Sequence, residues 1–464
     1  MNTRLLQLYH RLPPRTRSIA ATLRGWYLKR WRYGAESEHL VEEALARDAW
    51  TTAQWAKWRE ERIAYVLHRA ATRVPFYRER WEARRRLGDR ASWEVLENWP
   101  ILEKDEVRAN PRAFIADDCD PRVMFHEQTS GTTGKPIDIW RSRTTVATVH
   151  AIADARTSRW DGIPNNARWA RLGGQLVTPV RQRRPPFWVW NAAMRQLYLS
   201  SFHLAPDLIS HYLDALAHYR IRYLATYPSS AYALAHEVVR LGRTDFQMAA
   251  VYTNAEPLLP EQRSTIAQAF QCPVRETYGM AESVAAASEC SSGRLHQWPE
   301  FGHVELHEQG ELVATGLVNT DMPLVRYRVG DRAQAPKTNP GPCPCGRSLP
   351  IMGRIEGRMN DHLFTADGRP VFWLNPVFYG LPIRQSQIIQ EHLDVLRVRV
   401  TPASGFSALT EQTIIGRLQE RMGDVRVIVD RVTEVPRTTN GKLRAIVCNL
   451  TQAQRAAALR TAGA

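Results

Sequence analysis

The sequence predicts an α/β protein with a large N-terminal domain of mixed α/β architecture, a β-rich part within it, and a small α+β C-terminal domain. Three observations predict this class. Helical and strand patterns alternate between residues 145 and 240, short alternating strands follow from about residue 300, and the last hundred residues restart with strand, helix and strand. A chain of 464 residues is long enough for two or three domains that each bury a core.

The N-terminal domain is expected to span residues 1–357, and its first hundred residues are expected to be helical. Apolar residues recur at spacings of three and four in EHLVEEALARDAW and WREERIAYVLHRA. Helical LISHYLDALAHYR is then followed by the short apolar run RYLATY, which is typical of an α/β core. HVELHE, GELVATG and LVRYRVGD alternate with period two and predict a β-rich subdomain at about 298–357.

The C-terminal domain is expected to span residues 358–464. VLRVRV predicts a strand, EQTIIGRLQERMG a helix and VRVIVDRV a second strand. We place the boundary beside Arg358 because RIEGRMNDH is polar and contains glycine.

Composition limits the classes of function. The formal net charge is +15, yet the arginines are scattered and no zinc-finger, basic-zipper or RNA-binding spacing occurs, so we expect no nucleic-acid partner. Basic residues are densest from Arg11 to Arg32, where GWYLKRWRYG could make weak contact with an anionic membrane, or could be a solvated helix face that packs Trp and Tyr inward. No secretory signal and no apolar run of about 20 residues is found, so a cytoplasmic location is expected.

Residues Ser130 to Lys135, within EQTSGTTGKPIDIW, are suited to holding a phosphate. Two residues separate the glycines and Pro136 follows the lysine, which excludes a Walker loop. Glycines still allow backbone N–H groups to converge on an anion, and hydroxyls and an ammonium add donors. The alternative is a polar hairpin turn.

Four residues match the ligands of a structural zinc site. Cys290 and His296 lie in ECSSGRLH, and Cys343 and Cys345 in CPCGR. Three thiolates and one imidazole form a closed tetrahedral set, which leaves no open position for catalysis. The alternative is four separately placed side chains.

Five motifs in order carry a family resemblance. After the phosphate loop come TYGMAE (277–282), RYRVGD (326–331), GRIEGRMND (353–361) and RTTNGKLR (437–444). This order resembles the adenylate-forming (acyl-CoA synthetase and luciferase-like) superfamily. VPFYRE, QLYLSSFHL, YPSSAYALA and ASECSSGRLHQWPE resemble the phenylacetate–coenzyme A ligase family, in particular its capsular-polysaccharide-associated, CapK-like members.

The resemblance implies a ligase that joins a carboxylic acid, aryl or small, to the α-phosphate of ATP with release of pyrophosphate, and then forms a thioester with coenzyme A. Both first reactants are anions, so charge must be neutralised. Glu282 would bind Mg²⁺, and Asp331, with Arg358 nearby, would accept hydrogen bonds from the ribose. The resemblance further implies that ATP contacts Thr129, Ser130, Gly131, Thr132, Thr133, Gly134, Lys135, Ala255, Glu256, Pro257, Glu276, Thr277, Tyr278 and Gly279.

Lys442 is the residue expected to be essential for catalysis, beside Glu282 and Thr129. The chain has six lysines and 56 arginines, and two of the six lie in T-G-K and N-G-K. A compact ammonium can reach both a carboxylate and an α-phosphate oxygen. Lys442 lies in the C-terminal domain, so that domain must close over the site for adenylation. The resemblance implies that this domain is mobile and that it afterwards rotates so that a thiol can attack the adenylate.

Alternative functions remain open at this level. The family usually carries an acidic residue after G-R-x, where this chain has Asn360, and the following TADGRPVFWLNP lacks the usual glycines. The acyl group could therefore pass to a hydroxyl or amine without coenzyme A. A third alternative is a non-catalytic membrane-surface protein of a polysaccharide pathway. Glu282 itself could instead be an exposed glutamate at the start of a helix, Asp331 an ordinary turn aspartate, and Lys442 a surface lysine.

Overall fold

A computed structural model describes residues 3–129, 136–179, 181–204, 206–255, 258, 260–307, 310–335, 342–355, 363–365, 367, 369–371, 374–378, 380–402, 404–433, 435, 446–451 and 454. The α-helices are α1 Thr3–Arg11, α2 Pro14–Arg32, α3 Ser37–Arg47, α4 Thr52–Arg73, α5 Pro75–Arg86, α6 Lys104–Ala109, α7 Arg143–Ala155, α8 Pro206–His218, α9 Pro228–Leu241, α10 Pro260–Phe270 and α11 Ala408–Met422. The strands are β1 Phe125–Gln128, β2 Asp138–Arg141, β3 Trp169–Gly173, β4 Trp188–Asn191, β5 Gln196–Ser200, β6 Tyr223–Thr226, β7 Ala250–Thr253, β8 Val274–Gly279, β9 Ala286–Glu289, β10 Leu295–Gln297, β11 Gly302–Leu306, β12 Glu311–Gly316, β13 Tyr327–Arg332, β14 Leu363–Phe364, β15 Pro370–Val371, β16 Ile383–His392, β17 Val395–Pro402, β18 Arg426–Arg431 and β19 Ile446–Cys448.

A central sheet has the strand order β10-β9-β8-β7-β6-β3-β5-β4. Strands β8, β7, β6, β3 and β5 are parallel, while β4, β9 and β10 are antiparallel additions. Helices α8, α9 and α10 connect successive parallel strands, and Tyr212, Leu234 and Ile266 on these helices are fully buried in the core that they form with the sheet. This is the α/β architecture that the alternating pattern predicted.

A second core joins the N-terminal helices to the β-rich segment. It contains Leu67 of α4, Trp81 of α5, Ile139 of the β1–β2 hairpin, and Ala314 and Tyr327 of the β11-β12-β13 sheet. Pro75 begins α5 immediately after α4, which separates the two helices because proline cannot continue the preceding one.

The C-terminal part forms a four-stranded sheet of order β18-β17-β16-β19 with α11 packed against it. Strand β17, helix α11 and strand β18 follow each other as VLRVRV, EQTIIGRLQERMG and VRVIVDRV predicted. The predicted α/β class with an α+β C-terminal part is thus confirmed. The boundary between residues 357 and 358 stays a prediction, because 356–362 lie outside the described residues.

Helix α2 corrects one alternative from the sequence. Inward packing of its aromatic side chains is wrong for Trp26 and Tyr27, which are 60% and 53% exposed. The helix instead turns small and hydroxyl side chains, among them Ser18, Thr22 and Gly25, toward β4. Within the described residues, none of the helices has the length and apolar character that crossing a bilayer requires.

Candidate active site and metal centre

Two of the predicted ATP contacts, Ala255 and Thr277, lie at the carboxyl ends of the parallel strands β7 and β8. The Asn254 N–H, just after β7, donates to the carbonyl of Thr226 at 3.1 Å, and the Thr277 hydroxyl of β8 donates to the carbonyl of Thr253 at 3.0 Å. Ala255 follows with φ +62°, a left-handed conformation that is uncommon for a residue with a side chain. Ligands of open α/β sheets bind at this edge.

The β1–β2 hairpin holds both ends of the predicted phosphate loop. Thr129 is 3% exposed, and its N–H donates to the carbonyl of Ile137 at 2.9 Å. Its hydroxyl oxygen accepts the Ile137 N–H at 2.9 Å. Thr129 therefore pairs with Ile137 at the end of the hairpin from which the loop begins, a structural contact that the sequence did not predict.

Arg141, at the end of β2, joins this hairpin to the segment after β8. Its guanidinium donates to the Ala281 carbonyl and to the Ser283 hydroxyl, the latter at 3.2 Å, and a second nitrogen contacts Glu127 at 2.8 Å. The phosphate-loop hairpin and the TYGMAE motif are thus neighbours.

Glu282 is buried at 6% exposure, so the alternative of an exposed helix-start glutamate is wrong. Its Oε1 accepts hydrogen bonds from the Lys104 ammonium at 3.1 Å and the Tyr327 hydroxyl at 3.0 Å. Burial raises the pKa of this carboxyl, but the charge of Lys104 and the hydrogen bonds to the carboxylate lower it by more, and the net pKa lies below its ordinary value. Glu282 is ionised at neutral pH.

Sequence reasoning missed Lys104. The scarcity of lysine was the available signal, since Lys104 is one of the six. The contact between Lys104 and Glu282 could not be predicted from the sequence, because 178 positions separate the two residues.

Asp331 meets the TYGMAE motif directly. The Tyr278 hydroxyl donates to its Oδ2 at 2.9 Å. The start of the GRIEGRMND motif lies alongside, because the Gln334 N–H donates to the Arg354 carbonyl at 2.9 Å. Gly353 is required for this approach, since a Cβ there would lie 1.9 Å from the Gln334 carbonyl oxygen.

Glu276 lies beside a second carboxylate. Its N–H donates to the Glu289 carboxylate at 2.7 Å. Arg263 donates from its two terminal guanidinium nitrogens to the two oxygens of the same carboxylate, each at 2.9 Å. Burial, and next the charge of Glu289, raise the pKa of Glu276 above its ordinary value.

Several predicted residues lie outside the described chain, so their roles stay predictions. These are Ser130, Gly131, Thr132, Thr133, Gly134, Lys135, Glu256, Pro257, Arg358 and Lys442.

The four predicted zinc ligands form one cluster. Atoms of Cys290, His296, Cys343 and Cys345 that can bind a metal all lie within 4.8 Å of one another. The sulfurs of Cys290 and Cys343 are 3.7 Å apart, and the Cys345 sulfur is 3.4 Å from His296 Nε2. Tetrahedral zinc with bonds of about 2.3 Å to sulfur and about 2.0 Å to nitrogen requires spacings of about 3.8 and 3.5 Å. The alternative of four separately placed side chains is wrong.

Hydrogen bonds around the cluster favour metal binding. His296 is fully buried, and its Nδ1 lies 3.0 Å from the Leu349 carbonyl, which fixes the proton on Nδ1 and turns the Nε2 lone pair toward the sulfurs. Burial, more than any other effect, lowers the pKa of His296, which keeps the ring neutral as a ligand must be. Burial raises the pKa of the Cys343 thiol to about 11, so a metal binding there would have to displace the thiol proton.

A charged network ties the cluster to the N-terminal helices. Asp48 accepts from Arg347 at 3.2 Å and from the Trp160 indole N–H at 2.6 Å. Arg156, fully buried, contacts both Asp48 and Glu300.

Comparison with known proteins gives relatives over most of the chain. Residues 364–449 match the family model described as the CapK C-terminal domain. Protein CapK of Staphylococcus aureus is 25% identical over 389 residues, covering 81% of this chain and 85% of its own. A phenylacetate–coenzyme A ligase of Pseudomonas putida is 26% identical over 396 residues, covering 78% and 86%.

Among solved structures, that of 2-hydroxyisobutyryl-CoA ligase with 2-HIB-AMP and CoA has a TM-score of 0.55 at 21% identity, covering 90% of this chain and 94% of that one. The shared fold includes the C-terminal domain. The resemblance expected from the motifs is therefore confirmed: the chain is similar over most of its length to CapK and to phenylacetate–coenzyme A ligases, and it ends in a match to the CapK C-terminal domain.

Proposed function

We propose that this protein activates an aryl or small organic acid as an acyl adenylate and then transfers the acyl group to coenzyme A. A carboxylate oxygen attacks the α-phosphorus of ATP, the bond to the β-phosphate breaks, and pyrophosphate leaves. The thiol sulfur then bonds to the carbonyl carbon, the bond from that carbon to the phosphate oxygen breaks, AMP leaves and the thiol proton is released. Support comes from relatives named phenylacetate–coenzyme A ligases and from the fold shared with a ligase bound to 2-HIB-AMP and CoA.

The observation that carries this function is the contact between three motifs that are far apart in sequence. Arg141 of the phosphate-loop hairpin contacts Ala281, Tyr327 donates to Glu282, and Tyr278 donates to Asp331. An ordinary hairpin, helix start and turn, which here belong to three different sheets, have no need to contact one another. A nucleotide with its phosphates toward the hairpin and its ribose toward Asp331 would use all three.

The proposed reaction requires the candidate active site to neutralise the negative charge of both substrates. Residues 130–135 would surround the β- and γ-phosphates, and Lys442 would reach the α-phosphate when residues 358–464 close as a lid. Glu282 fits as an oxygen ligand for Mg²⁺, because its carboxylate is ionised. Lys104 competes with the cation for that carboxylate.

The Cys and His cluster would hold a structural Zn²⁺. Its four ligands, its spacings and the Nδ1 contact of His296 fit the ion. The metal would fix the segment at 343–349 against the β9–β10 hairpin, and it would not take part in adenylation.

The test is pyrophosphate exchange into ATP with a panel of aryl and short-chain acids. We expect exchange with at least one acid, and a loss of about 100-fold or more in Lys442→Ala, the magnitude typical of removing a charged group from a transition state. Lys57→Ala is the matched control, since Lys57 is 80% exposed on α4. Unchanged exchange in Lys442→Ala would show that Lys442 is not catalytic.

Adding coenzyme A to the assay distinguishes between the two candidate acyl acceptors, coenzyme A itself and a hydroxyl or amine. Thioester formation supports the ligase function. Exchange without thioester would favour transfer to a hydroxyl or amine, which Asn360 and the altered TADGRPVFWLNP segment make a specific second candidate. No exchange with any acid would contradict adenylation itself.

A further inference from the structure

We propose that helices α1 and α2 bind the protein to an anionic lipid surface, with Ile19, Leu23, Trp26 and Tyr27 of α2 entering the headgroup region. This inference is independent of the proposed enzymatic function, because it rests on a surface that contains none of the residues of the candidate active site.

One side of α2 is attached to the edge of the central sheet. The Trp190 N–H donates to Ser18 at 3.2 Å, and the Ala192 N–H donates to Thr22 at 3.1 Å. Gly25 is buried so closely against Asn191 that a Cβ at this position would lie 2.1 Å from the amide oxygen. These residues recur at spacings of four and three, so they share one side of the helix. The orientation of α2 on the protein is thereby fixed.

The other side of α2 presents a stripe of large apolar residues. Ile19, Leu23 and Trp26 also recur at four and three, and they are 61%, 66% and 60% exposed. Helical geometry places them roughly 100° around the axis from Ser18, Thr22 and Gly25, with Tyr27 further round. Among the described residues, fifteen large apolar side chains are exposed to solvent, and seven of these lie between Leu5 and Tyr33. An exposed apolar concentration of this kind marks an interaction surface.

Charge selects the partner. Residues 1–34 contain eight arginines and lysines and no aspartate or glutamate, although the whole chain has a net charge of only +15. Arg24, Lys29 and Arg30 are exposed on α2 itself. Basic residues beside an apolar helix face are the pattern of helices that lie in the interface of anionic membranes. A second copy of this chain would bring the same positive surface, so self-association through this face is disfavoured.

The experiment is flotation of the full chain with vesicles of phosphatidylcholine alone, or of phosphatidylcholine with about one quarter phosphatidylglycerol. At low ionic strength we expect the fraction bound to anionic vesicles to exceed that bound to neutral vesicles by about tenfold, because basic side chains are attracted to anionic headgroups. Raising the salt to about 0.5 M should reduce this difference by screening.

Two pairs of variants test the two components of the surface. Leu23→Ser with Trp26→Ser should abolish binding, whereas Leu87→Ser with Leu409→Ser removes leucines that are 87% and 71% exposed elsewhere and should not. Arg24→Gln with Arg30→Gln should lower binding to anionic vesicles, whereas Arg86→Gln with Arg122→Gln, an equal loss of charge at other exposed positions, should not.

Several outcomes would overturn the assignment. These are the absence of binding to anionic vesicles, equal binding to neutral vesicles at every salt concentration, and unchanged binding of the Leu23 and Trp26 variant. A concentration-dependent dimer in lipid-free sedimentation velocity that the same variant dissolves would assign the stripe to a second copy of the chain.

Discussion

The energetics of Glu282 depend on the neighbouring Lys104 ammonium. Its side chain is 6% exposed and that of Lys104 is 20% exposed, so both charges are largely removed from water. Removing one partner of such a pair leaves a buried charge without compensation, which typically costs several kcal/mol. Lys104 therefore maintains the ionised carboxylate on which any Mg²⁺ binding by Glu282 depends.

We predict that Lys104→Met lowers the free energy of unfolding by about 3 kcal/mol, while Glu282→Gln in the Lys104→Met background recovers part of that loss. Urea unfolding of the two single variants and the double variant measures the coupling. Lys57→Met, on the exposed surface, should change stability by less than about 0.5 kcal/mol. Additive effects of the two substitutions would show that the ion pair is not coupled in solution.

The same pair predicts a pH dependence. Because the pKa of Glu282 is lowered in the folded protein, its contribution to stability is present above the unfolded pKa and is lost as the pH falls through the folded value. The stability difference between wild type and Glu282→Gln should be largest at neutral pH and shrink between about pH 5 and pH 3. Glu61→Gln, at an exposed position, is the control and should show no such trend. A difference that grows on acidification would contradict the lowered pKa.

Helix α2 shows at the scale of one element what the sequence could and could not predict. The density of basic and aromatic residues was visible, and so was a helix. The side of α2 that faces the protein could not be predicted. It is decided by the close packing of Gly25 against Asn191, which lies 166 positions further along the chain. Hydrophobic pattern alone favoured burying Trp26 and Tyr27, and the docking of Ser18, Thr22 and Gly25 overrode it.

Gly25→Ala should detach α2 from the sheet. The new Cβ would meet Asn191, which is 2% exposed and caps a turn by accepting the Met194 N–H. We expect a loss of about 1–3 kcal/mol, the usual effect of overpacking. Trypsin cleavage at Arg24 and Lys29, followed by mass spectrometry, should become faster.

Gly416→Ala is the matched control for this substitution. Gly416 lies in α11, where an added Cβ would have open space within 4 Å, so alanine should stabilise the protein by about 0.5–1 kcal/mol. Equal trypsin sensitivity of Gly25→Ala and wild type would show that the Asn191 contact does not hold α2 in place.

At the scale of the whole molecule, the motifs could be recognised in the sequence, whereas the contacts between them are determined by the fold. The order of five motifs was sufficient to expect that Asp331 and Glu276–Gly279 belong to one nucleotide site, and the structure brings Asp331 into contact with Tyr278. Contacts that join distant segments, such as Tyr278 to Asp331 and Arg141 to the Ala281 carbonyl, could not be predicted from spacing, because the two partners lie on different elements whose packing the spacing does not determine. The positions of Lys135 and Lys442 are predictions still.

The Cys and His cluster connects segments that are far apart in the sequence. Cys290 and His296 flank the turn that joins β9 to β10, Cys343 and Cys345 follow β13, and Arg347 continues to Asp48 at the end of α3. Because 53 positions separate Cys290 from Cys343, a shared metal would close a long loop and restrict the unfolded chain. We therefore expect zinc to stabilise the molecule as a whole.

We predict about one zinc per purified chain, measured by inductively coupled plasma mass spectrometry, and a content near zero in Cys343→Ser. Cys272→Ser removes a buried cysteine outside the cluster and should keep the metal. Chelation should lower the Tm of wild type and of Cys272→Ser, and leave that of Cys343→Ser unchanged, because only a bound ion can be withdrawn. Full zinc content in Cys343→Ser, or a chelator-insensitive Tm in wild type, would contradict a structural metal at this cluster.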